Sequence, residues 1–469
     1  MSKESALVKR TAIYAVGNFG SKILAYVMVL VYSYYIAPEY LGFYDLTLTT
    51  LSMIQPLVLF QINDGVYRYL VDAPKNERGA IIGNGFKFLC WTTLAAELGL
   101  LGMSFFMDLQ YAPWIAGLLA STMFFAYLQD VVRGLGQSKL YAFVGVLNSL
   151  VMLACETVGL MVFHLGVAAL LISKVLANIA CVVVMLVKIR ETHGVFSSGM
   201  RRDTMLPLLK YSAPLVPNTI SWWVVNSSNR YIILGFLGAG YNGIFSMANR
   251  FPTILTTITS IFYMAWQESA IKEYHSSNRD AFFSKVFRKY YVLLLTLCMC
   301  AVPATRFVIE LFVSPEYRES WQYTGFLYLG AAFSALCSFL GMGYQISKET
   351  KRSLSTSIYA AIVNVAINLV LVRFMGLHAA SFATFASYLF LFLIRIQHTK
   401  RYFKLHIKWG EICILTTGVL VVIIATALLP NLWLCIPLGF VCVGVLMLMN
   451  RELIMPMVNK VRKKESLQK

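Results

Sequence analysis

Arginine inside an apolar run asks for a chemical reason, and this chain places it twice in one stretch. Residues 211–250 read YSAPLVPNTISWWVVNSSNRYIILGFLGAGYNGIFSMANR. Arg230 lies well inside a run long enough to cross a bilayer. A tight GAGYNG turn follows, and Arg250 stands two turns into the next run. A lipid-facing arginine near the bilayer centre costs about 2.5–3.5 kcal/mol or more. Such a residue therefore snorkels, meets an ion-pair partner, or faces a watery cavity. In a cavity its chemistry is anion binding. The guanidinium is a planar fork of donors that matches phosphate oxygens, and a low dielectric strengthens the contact.

Further polar groups share the apolar runs. The first half carries Asn18, Lys22, Gln55, Gln61, Asp64, Arg68, Lys87, Glu97, Glu156 and Lys174. The second carries Asn226, Asn229, Asn249, Arg306, Asn364 and Asn368. At 1.5 Å per residue, Arg230, Arg250 and Arg306 lie about 10 Å below the outer ends of their runs. Lys22 lies nearer the opposite side, with Asp64 and Arg68 at that side's mouth. Cations at graded depths suit an anionic head group moving across. The candidate binding residues are therefore Lys22, Arg68, Arg230, Arg250 and Arg306, with Asn18 and Asn226 beside them.

Plainer readings stand next to these. Arg68, Lys87 and Glu268 also read as interfacial charges, and Glu156 with Lys174 as a structural ion pair between consecutive helices. Asp64, Glu97 and Glu156 are the candidate ion-coupling carboxylates. Glu97 is either a proton or sodium site or a protonated carboxyl bonded to a neighbour. Gly99, Gly102, Ser334 and Ala335 suit close helix packing. No Ser/His/Asp set, metal-ligand spacing or phosphate-binding loop is present, so neither an enzyme nor a bound cofactor is expected. The nine cysteines show no CxxC spacing and sit in apolar runs, where packing is their ordinary role.

The elements that position these groups are membrane helices. The chain is 58% apolar and only 13% charged, against about 25% charged in a soluble domain. Its net charge of +18 sits in short clusters between the apolar runs, a pattern that orients membrane proteins rather than one that binds nucleic acid. About 20 apolar residues cross a bilayer. By that measure about fourteen spans are expected: 11–36, 43–68, 80–106, 113–133, 140–163, 166–188, 211–236, 243–268, 290–312, 323–346, 354–373, 377–397, 409–429 and 433–450. Lys and Arg crowd alternate loops, while the opposite loops contain only Arg318, which predicts two cytoplasmic termini. The start, MSKESALVKR, shows no small-residue cleavage site and reads as leading into a retained helix.

The spans repeat. Tyr35–Leu46 (YIAPEYLGFYDL) aligns without gaps on Phe236–Met247 (FLGAGYNGIFSM), matching Tyr40 to Tyr241 and Gly42 to Gly243. Fainter echoes join Gly134–Lys139 to Gly343–Lys348 and Gly166–Leu170 to Gly376–Ala380. Six spans repeated in the same sense predict two parallel lobes, the arrangement of transporters that rock between two open states. The expected organisation is a lobe at 1–190, a linker at 191–210, a lobe at 211–400, and two further spans with a basic tail at 401–469. This is an all-α polytopic fold of two six-helix lobes plus two C-terminal helices.

Three features carry a family resemblance: SKILAYVMVLVYSYYIAPEYLGFYDL, SAPLVPNTISWWVVNSSNRYIILGFLGAGYNGIFSMANR, and the GxxAA turn before span 12, set in the 6+6+2 arrangement. Together they resemble the Wzx-type polysaccharide and oligosaccharide flippases of the multidrug/oligosaccharidyl-lipid/polysaccharide (MOP) exporter superfamily. The resemblance implies a MATE- or MurJ-like fold in the bacterial inner membrane. It implies transfer of an undecaprenyl-pyrophosphate-linked oligosaccharide (O-antigen, capsule or exopolysaccharide) to the outer leaflet, by alternating access through a cationic cavity. It also implies Na+ or H+ coupling and, as partners, a polysaccharide polymerase and chain-length regulator. Carried over, the cavity cations are Lys22, Arg230 and Arg250, with Arg68 and Arg306 second to them. Span 1 offers only Lys22 where MurJ-type lipid II flippases carry several arginines, which ranks that assignment lower. The alternatives are a drug or cation antiporter, which would want acidic cavity residues, and a membrane-embedded polymerase or ligase, which would want a sizeable outer loop.

Overall fold

The computed structural model describes residues 28–106, 111–189, 201–274, 276–347 and 349–452. Asn18 and Lys22 lie outside the described residues. In order, the α-helices are α1 (Pro38–Leu59), α2 (Ile62–Asp72), α3 (Lys75–Phe106), α4 (Ala112–Gly134), α5 (Ser138–Met161), α6 (Val167–Lys188), α7 (Arg202–Ser212) and α8 (Leu215–Phe236). They continue as α9 (Ala239–Glu273), α10 (Arg279–Phe312), α11 (Trp321–Ile346), α12 (Thr350–Met375), α13 (Leu377–Thr399), α14 (Trp409–Leu428) and α15 (Cys435–Met449). No strand occurs among the described residues. Hydrocarbon offers no partner for a backbone N–H or C=O, and a helix satisfies both within one segment.

The chain is a multi-pass membrane protein. Ten helical segments are each long and apolar enough to cross a membrane, and α1 with α2, bent by 57°, makes an eleventh. Helices α8 and α9 have the length but are too polar to join them, because they carry the asparagines and arginines noted above. The fourteen expected spans are consistent with this series, the first lying almost wholly outside the described residues.

The chain packs as two compact units, Met1–Ser227 and Ser228–Lys469, so the division falls inside α8 rather than in the expected linker. Local bonds explain the placement. In the first unit, Trp223 Nε1 donates to the Thr49 carbonyl and to Ser52 Oγ, 3.0 Å each. Gln61 Nε2 donates to Thr219 Oγ1 at 2.7 Å. These ties hold the start of α8 to α1 and to its break, where Phe60 and Gln61 both adopt positive φ. Ile233, at the other end of α8, belongs to the core of the second unit.

The expected linker 191–210 is corrected in its second part, where residues 202–212 form α7. Met205 and Leu208 are buried while Leu206 and Tyr211 are exposed. A Cβ on Gly65 would meet Ser212 Oγ at 2.3 Å, so only glycine lets α2 come this close to α7. Asn84 Oδ1 accepts from the Arg201 N–H at 2.6 Å, just before α7 begins. A short polar helix containing Pro207 has no apolar run to announce it.

The internal repeat is visible residue by residue. α1 starts at Pro38 and α9 at Ala239, the positions paired by the sequence alignment. The paired Tyr40 and Tyr241 are both exposed, and the paired Tyr44 and Phe245 are both buried. Gly166 opens α6 at φ +57°, ψ −134°, and its counterpart Gly376 opens α13 at φ +54°, ψ −132°. A side chain on either would be strained by the backbone alone, since nothing lies within 4 Å of an added Cβ. The packing repeats as well: α6 rests on α4 and α5, and α13 on α11 and α12.

Close packing uses glycines other than those expected. Gly99 and Gly102 have nothing within 4 Å, whereas Gly159 sets α5 against Ala169 of α6 and Gly325 sets α11 against Ile423 of α14. Gly166→Ala and Gly376→Ala should therefore each lower the thermal midpoint of the purified protein, at a cost of about 1–3 kcal/mol, while Gly99→Ala leaves it unchanged. Identical melting curves for all three variants and the parent would remove the conformational argument.

Candidate functional site

The site is built on the α8–α9 hairpin. The turn at Leu237–Gly238 places Gly238 at φ +101° ahead of α9. Packing fixes the hairpin: Ile233, Phe245 and Ala248 form a buried cluster with Tyr323 and Leu327 of α11 and Leu377 and Ala380 of α13, with Leu237 and Ile244 against it. Lipid tails are as apolar as these side chains, so close van der Waals fit and interhelical hydrogen bonds hold such helices together. Asn229 supplies the bonds. Its Nδ2 donates to Thr384 Oγ1 at 2.8 Å, and its Oδ1 accepts from Asn368 Nδ2 at 2.9 Å. Asn229 and Asn368 thus serve packing, as does Asn364, which donates to Ser387 Oγ at 3.3 Å.

With Asn229 turned into the bundle, its neighbour Arg230 is half-buried, Asn226 is exposed, and Arg250 is half-buried on α9. Counting from the helix ends, Arg230 lies about 9 Å and Arg250 about 16 Å from the turn at 1.5 Å per residue. Arg250 is deeper than its sequence position suggested, because α9 begins at Ala239 rather than near residue 243.

Below Arg250 one side of α9 is pinned by aromatic rings. Phe262 stacks on Tyr290 at 4.0 Å between centroids, and Trp266 stacks on Phe339 at 4.1 Å and meets Phe283 edge-on at 4.9 Å. Another row of the same helix reads Asn249, Thr253, Thr256, Ser260, Tyr263 and Gln267, at alternating spacings of four and three that keep one helical face. It runs for about 27 Å, close to the roughly 30 Å hydrocarbon thickness. Thr253, Thr256 and Ser260 are exposed. Each hydroxyl donates to a carbonyl one turn back, which leaves its oxygen to accept. At the far end Gln345 of α11 donates to Tyr263 Oη at 2.8 Å and accepts from Gln267 Nε2 at 3.3 Å.

Back-bonded Ser and Thr alone would be tolerable in lipid. An asparagine, an arginine and a glutamine along the same helix make it more polar than a plain anchor requires, and suit a face that meets water or a polar ligand. The sequence reading missed this row, although its four–three spacing is in plain view.

The remaining candidates are placed elsewhere. Arg306 is a fastener rather than a free cation: Nε donates to Glu310 at 2.7 Å, Nη1 donates to the carbonyls of Thr426 and of Leu429 (3.1 Å to the latter), and the guanidinium lies 4.4 Å over Trp321. The reading of Arg306 as substrate-binding is corrected accordingly, since its donors join α10 to the end of α14. Arg68 is exposed and paired with Asp72 one turn on, which matches its interfacial alternative. Asp64 is half-buried and near enough to feel Asp130 and Arg133 of α4. Around it, Asn63 donates to Asp130 at 2.7 Å, and Arg133 lies 4.5 Å over Tyr67. Glu156 of α5 is 3% exposed, and Lys174 is half-buried on α6, the helix packed against it. Glu97 is half-buried on α3, and its Oε1 has no hydrogen-bond partner among the described residues.

A family model described as "Polysaccharide biosynthesis protein" matches residues 7–267. No curated protein matches the sequence significantly. Among solved structures, the chain is similar to a lipid II flippase MurJ in an inward closed conformation. The TM-score is 0.68 at 13% identity, covering 95% of this chain and 100% of that one. An inward-facing multidrug resistance MATE family transporter of the MOP superfamily gives 0.66 at 12% identity, covering 84% and 95%. A MOP superfamily transporter from Pyrococcus furiosus, described by the reverse polarity of its binding pocket, gives 0.58 at 13% identity, covering 85% and 96%. These likenesses establish the fold.

The fastener role of Arg306 predicts that Arg306→Ala lowers membrane abundance and thermal stability, by about 3 kcal/mol, because it strands a glutamate in a poorly solvated place. Full abundance with activity lost would return Arg306 to the list of binding residues. Glu156→Ala is expected to lower abundance likewise, and a stable but inactive variant would contradict a structural role.

Proposed function

This chain belongs to the polysaccharide biosynthesis protein family, and from that premise we propose that it is a flippase for undecaprenyl-pyrophosphate-linked oligosaccharide units. It carries them from the cytoplasmic to the outer leaflet of a bacterial inner membrane by alternating access, with both termini cytoplasmic. The observation that carries this reading is the polar row of α9 with Arg250 at its head and Arg230 on the preceding helix. A pyrophosphate asks for guanidinium forks, and a glycan asks for hydroxyl and amide partners. Both kinds of group stand on this one hairpin. A structural neighbour is a flippase of a lipid-linked substrate, lipid II, which makes a related cargo reasonable. Lys22 joins the arginines as a binding cation, with Asn18 and Asn226 as polar neighbours. A polysaccharide polymerase and a chain-length regulator are the proteins that would take up the product.

Glu97 is the favoured coupling group in this scheme. A carboxyl on a membrane helix with one oxygen unpartnered among the described residues is a place for a proton or a sodium ion to bind. Asp64 is the second candidate, at the basic end of the first unit. Export of a drug or cation, the antiporter alternative, fits less well, since arginines repel cationic cargo; one neighbour is a multidrug resistance MATE family transporter.

The test follows lipid-linked glycan in cells lacking the protein. The intermediate should accumulate, and the parent chain should clear it. Arg230→Ala and Arg250→Ala should reach the membrane at normal abundance yet fail to clear it, with transport reduced at least tenfold. Thr256→Leu combined with Ser260→Leu should reduce transport several-fold. If both arginine variants export normally, the proposed binding site is wrong. If no lipid-linked glycan accumulates, the cargo is wrong.

A further inference from the structure

A second basic feature lies away from the hairpin, where the start of α10 meets the end of α15. Lys285, Arg288 and Lys289 of α10 and Asn450, Arg451 and Glu452 after α15 line a cavity of about 520 Å³. This is the end of the helices at which Lys and Arg crowd, the cytoplasmic side under the positive-inside rule. Two of its cations are engaged. Arg288 holds Glu411 through two parallel bonds of 2.9 Å, and Lys289 reaches Glu452 at 3.4 Å. Lys285 and Arg451 are exposed and make no ion pair among the described residues. The cavity is therefore left with an excess of positive charge.

Asn450 anchors the end of α15 beside the cavity. Asn450 is 3% exposed; its Nδ2 donates to Thr296 Oγ1 at 3.0 Å and to the Leu446 carbonyl at 2.9 Å. Its Oδ1 has no partner among the described residues. Beside the cavity, α15 exposes Phe440, Val441 and Leu448, each by more than half of its surface. A helix with an exposed apolar face thus ends in a basic pocket.

We propose that this cavity binds the head group of an anionic glycerophospholipid of the cytoplasmic leaflet. Lys285 and Arg451, the exposed cations of the cavity, would face its phosphodiester. Basic pockets between membrane helices on this side suit such head groups. A phosphate group is the shared chemistry of a lipid and of free phosphate, and the lipid is favoured because the pocket opens beside α15. A zwitterionic phosphatidylcholine brings its own cation, which the excess positive charge repels, so it should be rejected. The site is independent of the transported cargo and would bind whether or not Arg230 and Arg250 are intact.

The experiment uses the full chain, delipidated in detergent, and reads the thermal midpoint and lipid retention by native mass spectrometry. Phosphatidylglycerol, phosphatidylcholine and inorganic phosphate are added separately. Phosphatidylglycerol should raise the midpoint by several degrees and remain bound, and the other two should not. The Lys285→Gln/Arg451→Gln double variant, which spares the Arg288–Glu411 pair, should bind phosphatidylglycerol at least tenfold more weakly. If the double variant is unstable without lipid, Lys285→Gln alone, at an exposed position, carries the same test with a smaller loss. Equal shifts with phosphatidylcholine would overturn head-group recognition. An equal shift with inorganic phosphate would overturn the lipid as occupant, and undiminished binding by the variants would overturn the location.

Discussion

The constraint on which this structure depends is the absence of water in the hydrocarbon layer, which obliges each polar group on a span to find its partner within the chain. The hydroxyls show the simplest solution. Those of Thr47, Thr50, Thr296 and Ser338 all donate to a carbonyl one turn back on their own helix. The asparagines reach between helices, as Asn178 of α6 does to Ser121 and Thr122 of α4. The largest groups need several partners at once. Arg395, 2% exposed, donates to the Cys337 carbonyl at 2.7 Å and to Ser357 Oγ at 3.2 Å. Arg306 is treated in the same way, and for that reason an arginine in a span is not by itself a ligand site.

Against that background the α8–α9 hairpin follows the rule yet exposes more polar side chains than a plain span requires. Its core side obeys it, with Phe245 and Ala248 buried and Asn229 fully engaged. Its other rows keep Asn226, Thr253, Thr256 and Ser260 exposed along most of a membrane thickness. The rigid half explains how the polar half can be held in position. Trp266 stacked on Phe339 and Phe262 stacked on Tyr290 fix the helix azimuth, so the polar row cannot roll into the bundle.

Hydropathy and turn glycines made the helical series and its repeat legible, because a span is a long, redundant signal and Gly166 and Gly376 answer to a backbone need that no other residue meets. Side-chain partners were not legible. Nothing near Arg306 in sequence announces its role, because what engages it is the end of α14, whose carbonyls at Thr426 and Leu429 come from 120 and 123 residues away. Helix α7 escaped because it is short and polar, and packs through only a few side chains such as Met205 and Leu208. The α9 row was readable in principle. Ser, Thr and Gln carry no charge, so they stand out only when their spacing is counted.

The two halves share a frame but not a chemistry. Extended without gaps, the alignment that pairs Tyr40 with Tyr241 sets Arg250 opposite Thr49 and Arg230 opposite Val29. Val29 is 2% exposed, and the Thr49 carbonyl accepts from Trp223, so both counterparts are ordinary packing positions. The backbone diverges too: the first-half span breaks at Phe60 and Gln61, while α9 continues past the equivalent point for another three turns. An unbroken helix is what a continuous polar row requires, because a 57° bend would turn its two ends toward different neighbours. The continuity of α9 and the side chains along it are therefore one feature. The two halves are thus copies of one scaffold that differ at the hairpin, whose arginines have no charged counterpart in the described part of the first.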